Sequence, residues 1–152
     1  HNYQVDLTFT QDRKGTLSSP VLTQSVEVAT PPEFPKGMPG IWSPEHLFVA
    51  AISSCLMTTF LAVSENSKLP FVSFNCEAIG KLDKVDGKFM MTEVTLKPTL
   101  VIEQAEQYDR AKRILEMSEK ACLISNSVKS IIIFEPTIKT NKPCPPPYFL
   151  TN

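Results

Sequence analysis

Two histidines, His1 and His46, are all the imidazole the 152-residue chain has, and its four cysteines, Cys55, Cys76, Cys122 and Cys144, stand 21, 46 and 22 positions apart. No CxxC pair is available for a zinc knuckle or a thioredoxin-type dithiol, so a metal site is poorly supplied. Positive charge is not in excess either. Fifteen Lys plus Arg against 16 Asp plus Glu leave a net charge of -1, with no basic stripe interleaved with aromatics, which argues against a nucleic-acid partner. No GxGxxG and no internal repeat occur, so a nicotinamide or flavin cofactor has no foothold and no cofactor is expected. The longest apolar run, Leu47 to Val63, has 17 residues and is cut by Ser53, Ser54, Thr58 and Thr59. A bilayer crossing takes about 20 predominantly apolar residues, so this run reads as a core helix and no membrane is expected. No basic segment followed by an apolar one opens the chain, which starts on His1 rather than Met, and the expected compartment is the cytoplasm. There a structural disulfide is disfavoured, which leaves thiols that are either inert or reactive.

What is present describes an ordinary folded protein: 42% hydrophobic residues, 20% charged residues and nine Phe, with the 13 Pro clustered rather than spread. The length predicts a single domain over 1–152. Tyr3 to Thr10, YQVDLTFT, alternates with Val5, Leu7 and Phe9 on one face, and Thr23 to Ala29 reads as its hairpin partner across a turn at Asp12-Arg13-Lys14-Gly15. Thr30 to Trp42, with four Pro and two Gly, reads as a loop. A helix then begins at Ser43 as N-cap, Pro44 as first helical residue and Glu45 at the positive end of the dipole, and ends near Glu65 to Lys68. Two long strands, Phe71 to Leu82 and Lys88 to Ile102, flank the hairpin signal Asp86-Gly87. A second amphipathic helix spans about Ala105 to Cys122, Ser125 to Ser127 caps a short turn, and Ile131 to Thr140 gives a last strand before a polyproline tail, KPCPPPY. Strands, long helix, strands, helix and strand in that order predict an α+β fold without βαβ repetition.

The stretch SPEHLFVAAISSCLMTTF places Cys55 near the middle of the long helix. Free cysteine packs well as a small hydrophobe, and Phe48, Ile52 and Thr59 on its helical face would keep it from water and raise its pKa. Reactivity then requires a cation brought from elsewhere. Cys122, in KACLISNS at the end of the second helix, is as compatible with packing as with function, and the residues alone do not join the two. Cys76, with Phe74 before it on one strand face, reads as core, and Cys144 between prolines reads as an extra thiol.

SPEHLFVAAISSCLMTTF, followed 67 residues after Cys55 by EKACLISNSVK, resembles the OsmC/Ohr family of osmotically inducible and organic hydroperoxide resistance proteins. The shared pattern is a Pro-Glu-x-Leu helix start, a run of small residues ending in Cys, and a later Cys before a capping turn. The similarity covers nearly the whole chain. It implies antiparallel sheets wrapped around a long buried central helix in an intertwined homodimer. It also implies a thiol peroxidase, in which Cys55 attacks the peroxide and becomes a sulfenic acid that Cys122 resolves as a disulfide. An apolar pocket would suit an organic hydroperoxide as the small-molecule substrate, because an alkyl tail supplies binding energy that hydrogen peroxide lacks. A thiol reductant must regenerate the enzyme, and lipoyl-bearing proteins serve one branch of the family. The resemblance further implies an arginine that holds the thiolate and a glutamate that fixes the arginine. Arg13 and Glu45 match by position, although Gln11-Asp12 stand where the peroxidase branch usually has glycines.

Glu45 and Cys55 lie ten residues apart, about 15 Å along one helix, which one guanidinium hardly spans. A network of Glu45, Arg13 and Cys55 therefore predicts a site at a homodimer interface. Two other readings stand beside the peroxidase: a hot-dog-type thioesterase, in which Glu45 or His46 would act, and a non-catalytic protein holding an apolar ligand. His46 itself reads as structural or as a pocket-rim residue, and Trp42 with the loop Pro31 to Pro39 as part of a pocket wall.

Overall fold

The computed structural model describes residues 1–141. The chain divides into two compact units, His1–Phe48 and the remainder from Val49. Cys144 and the polyproline tail lie outside the described residues.

The first unit is a three-stranded antiparallel sheet of β1 (Asp6–Gln11), β2 (Lys14–Ser18) and β3 (Val26–Ala29). The turn at Asp12-Arg13 needs a left-handed residue, and Asp12 supplies it at φ 50°, a conformation Asp tolerates better than most residues. The hairpin partner of β1 is not Thr23 to Ala29, as the sequence pattern suggests, but β2, with Leu7 opposite Leu17 and Asp6 opposite Ser18. β3 then adds to the far edge of β2. KGTLS offers one large apolar residue in five, too few for alternation to register, and so the middle strand escapes detection. Gly15 is required there because a Cβ would stand 2.8 Å from the Thr8 carbonyl oxygen.

The loop after β3 folds back on itself, with the Met38 N–H donating to the Thr30 carbonyl and the Ala29 N–H to the Trp42 carbonyl. All six residues of β1 are exposed, and the alternating face of Tyr3, Val5, Leu7 and Phe9, 65–93% exposed, is uncovered among the described residues.

α1 (Pro44–Asn66) starts in the first unit and continues through the second. Its start is as the sequence predicts: Ser43 Oγ accepts the His46 N–H at 3.1 Å. By length and composition α1 could cross a membrane, yet it buries a stripe of Ile52, Leu56, Phe60 and Ser64, while Ala51, Ser54, Met57 and Leu61 remain exposed. β4 (Ser73–Val85) and β5 (Lys88–Ile102) pair antiparallel across Asp86-Gly87, both at positive φ as a two-residue hairpin demands.

The final strand read from the sequence is two. β6 (Ile131–Phe134) and β7 (Thr137–Thr140) both join β5, in parallel, separated at Glu135-Pro136, where proline has no N–H to give. A 3₁₀ turn (Ala105–Gln107) precedes α2 (Tyr108–Ala121), and another (Ser125–Ser127) follows it. α2 buries Ala111, Ile114, Leu115 and Ser118 at helical spacing. With Phe60, Leu69, Leu100 and Ile102 its apolar residues form the core of this unit, edged by Phe71, Phe74, Phe134 and Ile138. Phe60 stacks on Phe74 at 4.9 Å and meets Phe71 edge-on at 5.2 Å. Mixed α+β architecture, chiefly antiparallel sheets and a long core helix are thus as the sequence implies.

Candidate active site

The second unit brings Cys55 and Cys122 together. Cys55 lies in the fourth turn of α1, half-buried, one residue before the core position Leu56. Cys122 is the residue at which α2 stops: its φ is helical but its ψ, 107°, is extended, and this turn carries the chain across Cys55. Cys122 is fully buried, with its Sγ 3.9 Å from the Ile52 carbonyl one turn before Cys55.

Burial pushes the Cys55 thiol up, as the apolar helix face suggests. The N–H of Ile124, the Cys122 thiol, the Thr59 hydroxyl and the N–H of Leu123 all stabilise its anion, and together they hold it below the ordinary thiol value. Amide and thiol hydrogen bonds delivered from another segment thus favour the anion of this sulfur. Cys122 responds in the opposite sense. Burial raises it, the Ser125 hydroxyl and N–H pull it down, and the neighbouring Cys55 raises it again, leaving it above the ordinary value. Of the two sulfurs, Cys55 gives up its proton the more readily.

Sequence reasoning singled out both sulfurs but not the donors. The N–H groups of Leu123 and Ile124 carry no side-chain signature, and the available signal was positional: a segment that leaves α2 at Cys122 and immediately turns again at Ser125 must present free N–H groups near that sulfur. Cys76 shares the inward face of β4 with Phe74 and Ala78, half-buried, and burial pushes its thiol up despite the Lys97 N–H. It is a packing cysteine by geometry. Among the described residues no group of His, Cys, Asp and Glu is arranged to hold a metal.

Arg13 and Glu45 belong to the first unit. Arg13 sits in the β1–β2 turn, its carbonyl accepting the Thr30 N–H, on the wall of a cleft of about 350 Å3 that Leu7, Phe9, Val28 and Ala29 also line. Its guanidinium has no ion pair among the described residues. Glu45 has a buried Oε2 without a hydrogen-bond partner among the described residues. An oxygen removed from water without replacement bonds is costly, by roughly 1–3 kcal/mol or more for a charged group. Beside it Ser43 Oγ and His46 Nδ1 lie 2.7 Å apart and Trp42 meets the His46 ring edge-on, so His46 serves the helix start.

Residues 37–137 match the family of OsmC-like proteins. A Bacillus subtilis protein, YmaD, is 24% identical over 121 residues, 76% of this chain and 77% of its own length. Among solved structures, an OsmC-like protein of Vibrio cholerae superposes with a TM-score of 0.81 at 23% identity, covering 90% of this chain and 99% of its own. An organic hydroperoxide resistance protein of Elizabethkingia anophelis gives 0.71 at 24% identity over 93% and 99%. The organic hydroperoxide resistance protein OhrB of Bacillus subtilis gives 0.67 at 17% over 91% and 98%. At these identities the likeness is one of fold.

Proposed function

The chain belongs to the family of OsmC-like proteins, and from that premise we propose that it is a cysteine-based reductase of organic hydroperoxides. The observation that carries the reading is the Cys55–Cys122 pair, in which Cys122 Sγ lies 3.9 Å from the Ile52 carbonyl on the helix of Cys55 and hydrogen bonds from the Cys122 segment favour the Cys55 anion. In the first step the Cys55 thiolate attacks the outer peroxide oxygen. An S–O bond forms, the O–O bond breaks, and the alkoxide leaves as alcohol on taking a proton. Cys55 is oxidised to the sulfenic acid and the hydroperoxide is reduced. In the second step Cys122 attacks the Cys55 sulfur, an S–S bond replaces the S–O bond, and water leaves. A dithiol from outside the chain, small or carried on a lipoyl-bearing protein, then reduces the disulfide, a cycle suited to a reducing compartment such as the cytoplasm.

Arg13 and Glu45 have the chemistry to complete the site, the first as the cation on the thiolate and peroxide, the second as its anchor. Two observations support a homodimer as the unit in which they do so: the orphaned Glu45 Oε2 and the unpartnered apolar face of β1. The apolar residues beside Arg13 favour an alkyl tail over hydrogen peroxide.

Stopped-flow mixing with tert-butyl hydroperoxide is expected to consume the Cys55 thiol rapidly, with hydrogen peroxide at least about tenfold slower, and to leave Cys55→Ser unreactive. Equal slowness of wild type and Cys55→Ser would sink the reading and leave the Arg13 cleft as a passive site for an apolar molecule.

A further inference from the structure

The segment that follows Cys122 carries three small polar side chains, and they are not used alike. Asn126 Nδ2 donates to the Lys120 carbonyl at 3.1 Å and Ser127 Oγ to the Leu123 carbonyl at 2.8 Å, while the Asn126 N–H donates to the Cys122 carbonyl at 3.0 Å. These bonds close the end of α2 and hold the following turn. Ser125 takes no part in that work. Its hydroxyl, in a buried residue at the start of the turn, donates to Cys122 Sγ at 3.2 Å, a short distance for a bond to sulfur. A serine whose hydroxyl goes to a thiol, while the side chains of the next two residues go to backbone carbonyls, is placed for that sulfur.

We propose that Ser125 is a positioning residue for the disulfide-forming step, its O–H fixing the Cys122 sulfur beside Cys55 and supporting the charge that sulfur must carry to attack. The proposal rests on the peroxidase reading of the Cys55–Cys122 pair. In that step the Cys122 thiol loses its proton, its sulfur bonds to the sulfur of oxidised Cys55, and hydroxide leaves the sulfenic acid and takes up the proton as water. A buried thiol ionises reluctantly, and the hydroxyl is the one side-chain donor that reaches this sulfur from its own segment. A hydrogen bond to the anion lowers the pKa of the attacking sulfur and, by the same action, its intrinsic nucleophilicity, the second effect being about half as steep as the first. The two consequences oppose each other differently at different pH. Below the Cys122 pKa the bond accelerates attack by enlarging the thiolate fraction. Above it the bond slows attack.

The test treats full-length protein with one equivalent of tert-butyl hydroperoxide across a pH series, trapping sulfenic acid with dimedone and following disulfide by mass spectrometry. For Ser125→Ala, Cys55 consumption is expected to stay within about twofold of wild type, while disulfide formation at pH 7 slows by about threefold and its pH profile moves up by about one unit. At high pH the two rates should cross, a signature that mere loosening of the turn would not produce. Ser125→Thr, which keeps the hydroxyl, should restore the wild-type profile. A Ser125→Ala profile that superimposes on wild type would overturn the proposal. A wild-type Cys55 inert toward the hydroperoxide would instead sink the peroxidase reading, and an independent arm then still decides the hydrogen bond: in a Cys55→Ser background, the Cys122 titration followed by its Cβ resonance should move up on Ser125→Ala. An unmoved titration there means the hydroxyl does not act on the sulfur.

Discussion

At the scale of single residues, the two facing sulfurs differ in burial and in which donors reach them. Cys55 receives N–H groups of Ile124 and Leu123 with the Cys122 and Thr59 side chains, enough to outweigh its burial. Cys122 is more completely buried and faces the charge of Cys55, so its thiol is raised. Since only the thiolate alkylates, and its fraction grows as pH rises through the folded-state pKa, a lowered value moves the reactivity midpoint to lower pH and a raised value to higher pH. Alkylation by iodoacetamide, resolved by peptide mass spectrometry, should therefore label Cys55 with a midpoint below that of an ordinary thiol and Cys76 with one above it, with Cys122 the slowest of the three. A Cys55 midpoint at or above that of Cys76 would contradict the assignment.

The candidate site was legible in part for a related reason. Cys55 stands out in its helix because of the residues around it, and Cys122 because of the turn signals after it, but an amide N–H aimed at a sulfur belongs to backbone geometry that every residue type shares. The expectation that the helix face would leave Cys55 with a raised pKa followed correctly from its neighbours along α1. It failed because the deciding donors come from 68 and 69 positions away in sequence.

At the scale of elements, legibility followed pattern strength. α1 was bounded closely because Ser43, Pro44 and Glu45 each have a chemical reason to stand where they do, whereas β2 has one Leu among five residues and β6–β7 hide a proline break inside an apolar run. The cap is testable: Ser43→Ala removes the acceptor of the His46 N–H and leaves His46 Nδ1 without its hydroxyl, and should cost about 1–2 kcal/mol in denaturant unfolding. In the second unit, α1 approaches the sheet closely at Gly80, where an added Cβ would stand 2.5 Å from Val49 Cγ2 and 2.6 Å from Met91 Cε. The methionine end can turn aside, but the β-branched valine has little rotamer freedom in a helix, so Gly80→Ala should destabilise by about 1–3 kcal/mol. Phe60→Ala, which empties the space between Phe71 and Phe74, should cost about 3–5 kcal/mol, the larger because two aromatic contacts go with the buried area. A Gly80→Ala chain as stable as wild type would show that the strand moves away from α1 without strain.

At the scale of the molecule, three groups stand without a partner among the described residues: the apolar face of β1, the buried Glu45 oxygen and the Arg13 guanidinium. If a second copy completes them, the cation of one chain serves the thiolate of the other, and the two defects can be separated between chains. Homodimers of Arg13→Ala and of Cys55→Ser are each expected to be inactive toward tert-butyl hydroperoxide, the first by loss of the cation, the second by loss of the nucleophile. In a mixed dimer, the intact Cys55 of one chain meets the intact Arg13 of the other, and the remaining site carries both lesions. Random reassociation makes half of the dimers mixed, each with one working site of two, so equal amounts unfolded and refolded together should recover about one quarter of wild-type activity. Arg13 acting on Cys55 within its own chain predicts no recovery, because every site would then lack either its thiolate or its cation. The β1 face gives the companion measurement: Val5→Asp places a charge on the apolar face outside the lining of the Arg13 cleft, and light scattering should report monomers whose Cys55 has lost its fast reaction. Dimers that persist with full activity in Val5→Asp would place the shared surface elsewhere on the chain, and recovery in the mixing experiment would then have to be explained without β1.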